Sequence, residues 1–225
     1  MADLPNRDEL ERQLARKLGG LQRAQLGRLL EALGDPPKID NVPSSFWDEV
    51  GRELAGIIAP FLEDIYLQQA KRLMEKNPVG VDWALVNEKA IEWASRYTFD
   101  LVRNINTVSR RAIQKAVSAY FERGQTIGDL EKALSGLFGP VRAEMIAVTE
   151  ITRAASQGEM SFVDDLKAMG IEMIVKWATN RDELVCPICA PRNGKKQGDG
   201  WDAPPPAHPR CRCWLNSELP KVNRG

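Results

Sequence analysis

Cysteine and histidine are confined to one short stretch near the C-terminus. Four cysteines and the chain's only histidine lie between residues 186 and 213, with the spacing Cys186-x2-Cys189-x18-His208-x2-Cys211-x-Cys213. A tight turn that carries two such side chains presents both donor atoms to one ion, and two turns together supply the four ligands of a structural zinc site. The spacing therefore predicts a zinc-ribbon-like pair of knuckles that holds one structural Zn²⁺.

Five candidate ligands compete for four coordination positions. We expect Cys186, Cys189, His208 and Cys211 to bind the ion, with Cys213 as the alternate ligand. Alternate residues of a strand face the same side, so both Cys211 and Cys213 can approach a metal. His208 lies within PPPAHPRC, whose prolines stiffen the loop beside the second knuckle.

Three catalytic or redox interpretations are less consistent with this pattern. Thioredoxin-like chemistry needs one C-x-x-C and leaves His208 and the second cysteine pair without a role. A Cys–His nucleophilic pair would require the sole histidine to leave the metal site. Zinc catalysis needs an open coordination position and a general base, for which Asp182 and Glu183 are the candidates. Because four saturating ligands are present, we expect a closed site and a protein that is not an enzyme.

The charge balance gives no global attraction to nucleic acid or membrane. Lys and Arg together number 31, as do Asp and Glu. The alternative function, a nucleic-acid-binding zinc ribbon, would use Lys195, Lys196, Arg210 and Arg212. The sequence contains no apolar run near the roughly 20 residues of a membrane span and no signal-peptide pattern, so we expect a reducing cytoplasm and no membrane partner.

The expected fold class is mainly α, a helical body with long helices plus a small C-terminal β and zinc-ribbon-like metal module. We divide the chain into an N-terminal helical arm and linker (1–45), a helical body (46–169) and a zinc-knuckle module (170–225). The alternating run IEMIVKWAT predicts a strand, with residues 212–215 as its partner.

Apolar periodicity and capping residues predict the helices. They span residues 8–34 with a break at Gly19-Gly20, 46–76 with a kink near Gly56 caused by Pro60, a shorter segment capped by Asp82, 97–122, a short segment opened by Thr126, and 140–168. The leucine-rich arm has two interpretations: an ordinary part of the core, or an element that lies in the groove of another subunit.

Two further groups near the motif are more often structural than functional. Glu150 and Arg153, spaced i, i+3 on one helix, are expected to form an ion pair at the surface. Trp177, Trp201 and Trp214 flank the metal segment, and we expect them to pack around the knuckles. A stacking platform for single-stranded nucleic acid is the alternative for the tryptophans.

Residues 142–213 resemble the phage Mu F-like minor head protein family, the head-morphogenesis proteins of tailed phages. The matching segments are RAEMIAVTEITRAASQGE (142–159), WATNRDELVCPICAPRNGK (177–195) and PPPAHPRCRC (204–213). Val148 departs from the pattern, since an arginine is expected before Thr149-Glu150.

The resemblance implies a structural component of the phage head. Such a protein is present in few copies, associates with the portal and the scaffolded procapsid, and accompanies DNA entry or ejection. The implied location is the virion, with the host cytoplasm during assembly. Genes for portal and scaffold proteins are the expected neighbours.

Overall fold

The computed structural model describes residues 4–180 and 185–220, and the fold is mainly helical, as predicted. Contacts group the chain into two compact units. The first takes in the chain up to Glu11, the segment Phe61–Ala94 and the chain from Ile146 onward; the second takes in Arg12–Pro60 and Ser95–Met145. These boundaries differ from the three segments drawn from the sequence, and that three-part division stays a prediction.

The regular elements follow one another as helices and then a hairpin of strands. They are α1 (Arg7–Leu33), α2 (Ser44–Lys76), α3 (Trp83–Arg123), α4 (Ile127–Ser135), α5 (Pro140–Ala168), β1 (Ile174–Ala178) and β2 (Trp214–Glu218). Among the described residues, no helix combines the length and the apolar character needed to cross a membrane.

Capping side chains set the helix starts near α3 and α4. Asp82 Oδ1 accepts a hydrogen bond of 2.9 Å from the Ala84 amide at the start of α3. At α4, Thr126 and Asp129 form a reciprocal capping box. Gly124, with a φ of +59°, ends α3 in a conformation that disfavours residues with a Cβ. These starts and this end match the prediction.

Two helices are longer than predicted. The segment capped by Asp82 and the segment 97–122 are one helix of 41 residues, because Trp83–Arg123 contains no glycine or proline to interrupt it. Likewise α1 is continuous through Gly19-Gly20. The absent Cβ of Gly19 would lie 3.8 Å from the Ala143 side chain, so this glycine lies at a packed position and not at a break.

The leucines of α1 lie in the core. Leu14, Leu18, Leu29 and Leu33 are fully buried. Of the two interpretations of the arm, the structure therefore supports the ordinary core helix, because the apolar stripe is already covered within the chain.

In the first unit, β1 and β2 form an antiparallel pair. The metal-binding segment lies between these two strands in the sequence. Trp177 pairs with Leu215 and Val175 with Ser217, and these four side chains are buried while their neighbours along each strand are partly exposed. The alternation predicted from IEMIVKWAT is thus confirmed over Ile174–Ala178, but the partner strand is Trp214–Glu218, where residues 212–215 were expected.

The hairpin packs on α5 and α2 of the same unit. Val163 of α5 joins a buried cluster with Trp177, Trp201 and Leu215. A buried carboxylate, Glu159, accepts hydrogen bonds from the Ser217 hydroxyl of β2 (2.7 Å) and the Gln69 amide of α2 (2.6 Å). These contacts attach the module to the helices that carry it.

Candidate metal centre

The first knuckle is a tight turn closed by the backbone. The Cys186 carbonyl accepts hydrogen bonds from the amides of Cys189 (3.1 Å) and Ala190 (3.0 Å), and a short 3₁₀ helix over Ala190–Arg192 follows. Cys189 is buried and Cys186 is partly exposed. The turn places both thiols on one side, as the C-x-x-C spacing predicts.

The second knuckle brings an imidazole to these thiols. The Cys211 amide donates to the His208 carbonyl at 3.2 Å, which closes the turn. His208 Nε2 lies 3.0 Å from Cys186 Sγ and 3.3 Å from Cys189 Sγ. His208 Nδ1 lies 2.8 Å from the Pro209 carbonyl oxygen. When Nδ1 carries the hydrogen and donates it to this oxygen, Nε2 is free to bind the metal.

The distances fit a tetrahedral ion. With Zn–S near 2.3 Å and Zn–N near 2.0 Å, ligand atoms on a tetrahedron are separated by about 3.8 Å for two sulfurs and about 3.5 Å for sulfur and nitrogen. Cys189 Sγ and Cys211 Sγ are 3.8 Å apart, and the imidazole contacts are a few tenths of an ångström shorter than the second value. The site can therefore accept a metal with small movements of His208.

All five predicted ligands lie in this cluster. The donor atoms form two groups that share Cys189: one with Cys186 and His208, the other with Cys211 and Cys213. Within each group the donor atoms are within 4.8 Å of one another. The arrangement supports a metal site, while the choice between His208 and Cys213 as fourth ligand stays a prediction.

Hydrogen bonding and burial move the thiol pKa values in opposite directions. Burial raises the pKa of Cys189 to about 12. The hydrogen bond with the Cys213 thiol lowers the pKa of Cys211 to about 5. Burial also acts to raise the pKa of Cys186, but hydrogen bonds from the Cys189 and Ile188 amides outweigh it, so this pKa is lowered. A bound dication would favour the thiolate at every position.

The second knuckle is fixed by contacts from outside the motif. The Thr152 hydroxyl of α5 donates to the Cys211 carbonyl at 2.6 Å and accepts from Arg7 Nη1 at 2.7 Å. One residue before Cys211, the Arg210 amide donates to Thr149 Oγ1 at 2.9 Å. Two consecutive residues of the loop are thus tied to one face of α5.

Glu11 of α1 binds Arg212 from the loop. The two side chains form an ion pair of 2.5 Å, and Arg7 Nη1 lies 3.9 Å from the same carboxylate. Burial raises the pKa of Glu11, and the charges of Arg212 and Arg7 act in the opposite direction. Sequence reasoning missed these contacts; the i, i+4 spacing of Arg7 and Glu11 shows only that they share a helix face.

Arg212, which directly follows Cys211, pairs with Glu11 and lies 3.9 Å from Asp8. Asp182 and Glu183, the candidate bases for zinc catalysis, lie outside the described residues.

The tryptophans pack as expected. Trp177 and Trp201 are buried with ring centroids 5.9 Å apart, and Trp201 Nε1 donates to the Lys195 carbonyl at 2.9 Å. Arg192 lies over the Trp177 ring at 5.1 Å. Because these two rings are covered, they are unsuited to stacking with nucleobases. Trp214 is partly buried on β2.

The Glu150–Arg153 ion pair forms, but it is less exposed than predicted. Arg153 Nε lies 3.3 Å from Glu150 Oε2, and the Glu150 side chain is only 6% exposed. Arg142 belongs to the other unit, where it donates to Ser109 Oγ and the Leu137 carbonyl. Burial lowers the pKa of Arg142.

Residues 111–216 match the family model described as phage Mu protein F like protein. This segment, the Mu F-like domain, is similar to the phage Mu F-like family. The match confirms the resemblance seen in residues 142–213, extends it to α4 and the last third of α3, and covers slightly less than half of the chain. All five metal-ligand candidates lie within it. No curated protein and no solved structure matches the chain significantly.

Proposed function

We propose that this protein is a minor head protein of a tailed phage, a structural component of head morphogenesis that associates with the portal and the procapsid. The Mu F-like domain is the observation that supports a role in head morphogenesis and a location in the virion. A part in DNA packaging or ejection belongs to the same proposal.

Within this proposal the metal has a structural role and the protein is not an enzyme. The donor atoms of Cys186, Cys189, His208 and Cys211 are linked by three contacts of 3.0–3.8 Å. The buried thiol of Cys189 belongs to both donor groups. Three thiolates and one imidazole favour zinc over harder cations such as Mg²⁺. The ion would join the two knuckles, whose buried cysteines share one cluster with Trp177 and Trp201.

Particle association tests the proposed function. Purified procapsids and virions from cells that express a tagged form should contain the protein at low copy number, measured by quantitative mass spectrometry. Particles assembled without portal protein should contain markedly less. Recovery only outside particles would contradict the proposal, as would equal amounts with and without portal.

The nucleic-acid-binding alternative is favoured by one observation: Lys195 and Lys196 are exposed between the two knuckles. Arg212, however, is already paired with Glu11. A salt titration separates the two functions, because phosphate contacts make binding constants fall steeply with salt. DNA binding that weakens steeply with salt and is lost in a Lys195→Glu, Lys196→Glu variant would support the alternative.

A further inference from the structure

A groove of about 580 Å³ lies between α2 and α3, within the unit formed by Arg12–Pro60 and Ser95–Met145. Its floor includes Gly51 and Val102, and a Cβ at Gly51 would be only 3.5 Å from the Val102 side chain. The Asn106 amide donates to the Trp47 carbonyl at 3.3 Å across the groove. The two helices therefore approach closely below an open, partly apolar channel.

Aromatic side chains form the apolar part of the walls. Phe99 is 68% exposed, which is unusual for a residue of its size, and Trp47 is half-buried. Guanidinium groups lie beside both rings: Arg110 is 4.6 Å from the Trp47 centroid and Arg103 is 5.9 Å from that of Phe99. Each ring thus has one neighbouring cation and remaining apolar surface for a ligand.

Arginines dominate the charge of the groove. Arg52, Arg103 and Arg110 line it together with one acid, Asp48. Arg103 also pairs with Asp100 at 3.0 Å. A ligand that matches this surface carries carboxylates or phosphates for the guanidinium groups and apolar groups for Phe99 and Trp47.

We propose that this groove binds an acidic segment of a partner protein, with carboxylates on the arginines and apolar side chains against Phe99 and Trp47. Single-stranded nucleic acid fits less well, because Arg110 already lies over the Trp47 ring where a base would stack. Asp48 at the wall and Asp100 beside Arg103 would also repel a continuous phosphate backbone. An acidic helix laid in a groove between two helices meets all of these features.

The inference is independent of the proposed head function. The residues of the groove precede position 111, so they lie outside the Mu F-like domain, and none of them belongs to the metal centre.

Calorimetric titration of the full-length protein tests the proposal. The ligand is a synthetic amphipathic peptide with leucines at helical spacing and glutamates elsewhere, and a peptide of the same composition with scrambled order is the control. The groove variants are Phe99→Ala and Arg103→Glu. Their matched controls on α3 are Val108→Ala, a residue 54% exposed outside the groove, and Arg111→Glu, an exposed arginine also outside it.

We expect the amphipathic peptide to bind at least about tenfold more tightly than the scrambled one, and each groove variant to weaken its binding by about tenfold or more. The two control variants should leave binding unchanged. Equal binding of both peptides, or binding that the groove variants do not weaken, would overturn the proposal. A thymidine oligonucleotide that binds more tightly than the peptide and is lost in the groove variants would assign the groove to nucleic acid instead.

Discussion

At the scale of single residues, Cys189 occupies a special place in the metal centre because both groups of donor atoms include it. A serine there removes a ligand from either possible arrangement. The ligand sets containing His208 or Cys213 differ, in contrast, by only one donor. Substitutions at these three positions therefore identify the fourth ligand.

We expect Cys189→Ser to lose bound zinc, His208→Ala to weaken zinc binding strongly, and Cys213→Ser to retain about one ion per chain. The reason is that His208 Nε2 lies within 3.3 Å of two thiols. Metal analysis after purification without chelator, followed by competition with a chromophoric chelator, measures the result. The reverse pattern, zinc retained in His208→Ala and lost in Cys213→Ser, would assign a site with four cysteines.

Thr152→Val tests the contacts that hold the second knuckle. Valine has the shape of threonine but leaves Arg7 Nη1 and the Cys211 carbonyl without the hydroxyl between them. We expect the free energy of unfolding to fall by about 1–3 kcal/mol, and zinc binding to weaken, because buried polar groups lose their partner. Urea denaturation with and without zinc measures both effects. The same change at Thr107, which is exposed, should have little effect.

Glu159 should make stability depend on pH. Burial raises the pKa of this carboxyl, against the opposing hydrogen bonds from Ser217 and Gln69 and the charge of Arg72. The folded state then binds more protons than the unfolded chain between the ordinary value of 4.5 and the raised value. The free energy of unfolding therefore falls as the pH rises through that window.

Glu159→Gln keeps a neutral side chain between Ser217 and Gln69, and we expect it to remove this decrease. At pH values above this window, the variant should be at least as stable as the wild type. At pH values below it, the variant should no longer be more stable. Urea denaturation across a pH series shows whether the two curves converge at low pH. Glu172→Gln, at an exposed position, is the control; parallel curves for Glu159→Gln and wild type would contradict the expectation.

At the scale of elements, Gly158 allows α5 to approach α2. A Cβ at this position would lie 2.5 Å from the Tyr66 carbonyl oxygen, which is backbone and cannot turn aside. We expect Gly158→Ala to lower the free energy of unfolding by roughly 1–3 kcal/mol or more through overpacking.

Gly56→Ala is the matched control for Gly158→Ala. Gly56 is also inside a helix, yet no atom lies within 4 Å of the position of its Cβ. Alanine there should stabilise the protein by roughly 0.5–1 kcal/mol, since glycine weakens helix interiors. Thermal unfolding of the two variants should shift in opposite directions, and equal shifts would contradict this account of Gly158.

Local signals predicted much of the secondary structure. The helix start at Thr126, the bounds of α5 and the alternation of β1 all follow from interactions between near neighbours in the sequence. The predicted breaks in α1 and α3 were wrong because propensity competes with packing: Gly19 lies against Ala143, and nothing inside Trp83–Arg123 interrupts the helix.

The candidate site was predictable to the extent that spacing determines it. The two knuckles follow from short spacings, so the sequence is sufficient to identify the five donors. The ion pair between Glu11 and Arg212 joins positions 201 residues apart. No short-range pattern in the sequence predicts such a pair. The contact of α1 with the metal-binding loop is therefore visible only in the folded structure.

At the scale of the whole molecule, the burial of α1 changes what a truncation would test. Deleting residues 1–40 removes the fully buried leucines of α1 and also Arg7 and Glu11. We therefore expect the shortened protein to be strongly destabilised and to bind less zinc. The deletion would thus disrupt the fold and would not simply remove an element that docks on a partner. Circular dichroism and metal analysis measure the two effects. A truncated protein with unchanged helicity and zinc content would show that α1 is dispensable for folding.

The ion pair between Glu11 and Arg212 can form only late in protein synthesis. The ribosome makes Glu11 201 residues before its partner, which at about 5–20 residues per second is a delay of roughly 10–40 s. During that time α1 can form its helix, but the carboxylate has no arginine from the metal loop. The unit that contains both residues therefore cannot be completed until the metal-binding loop has been translated, so the metal centre assembles only after all five helices have been synthesised.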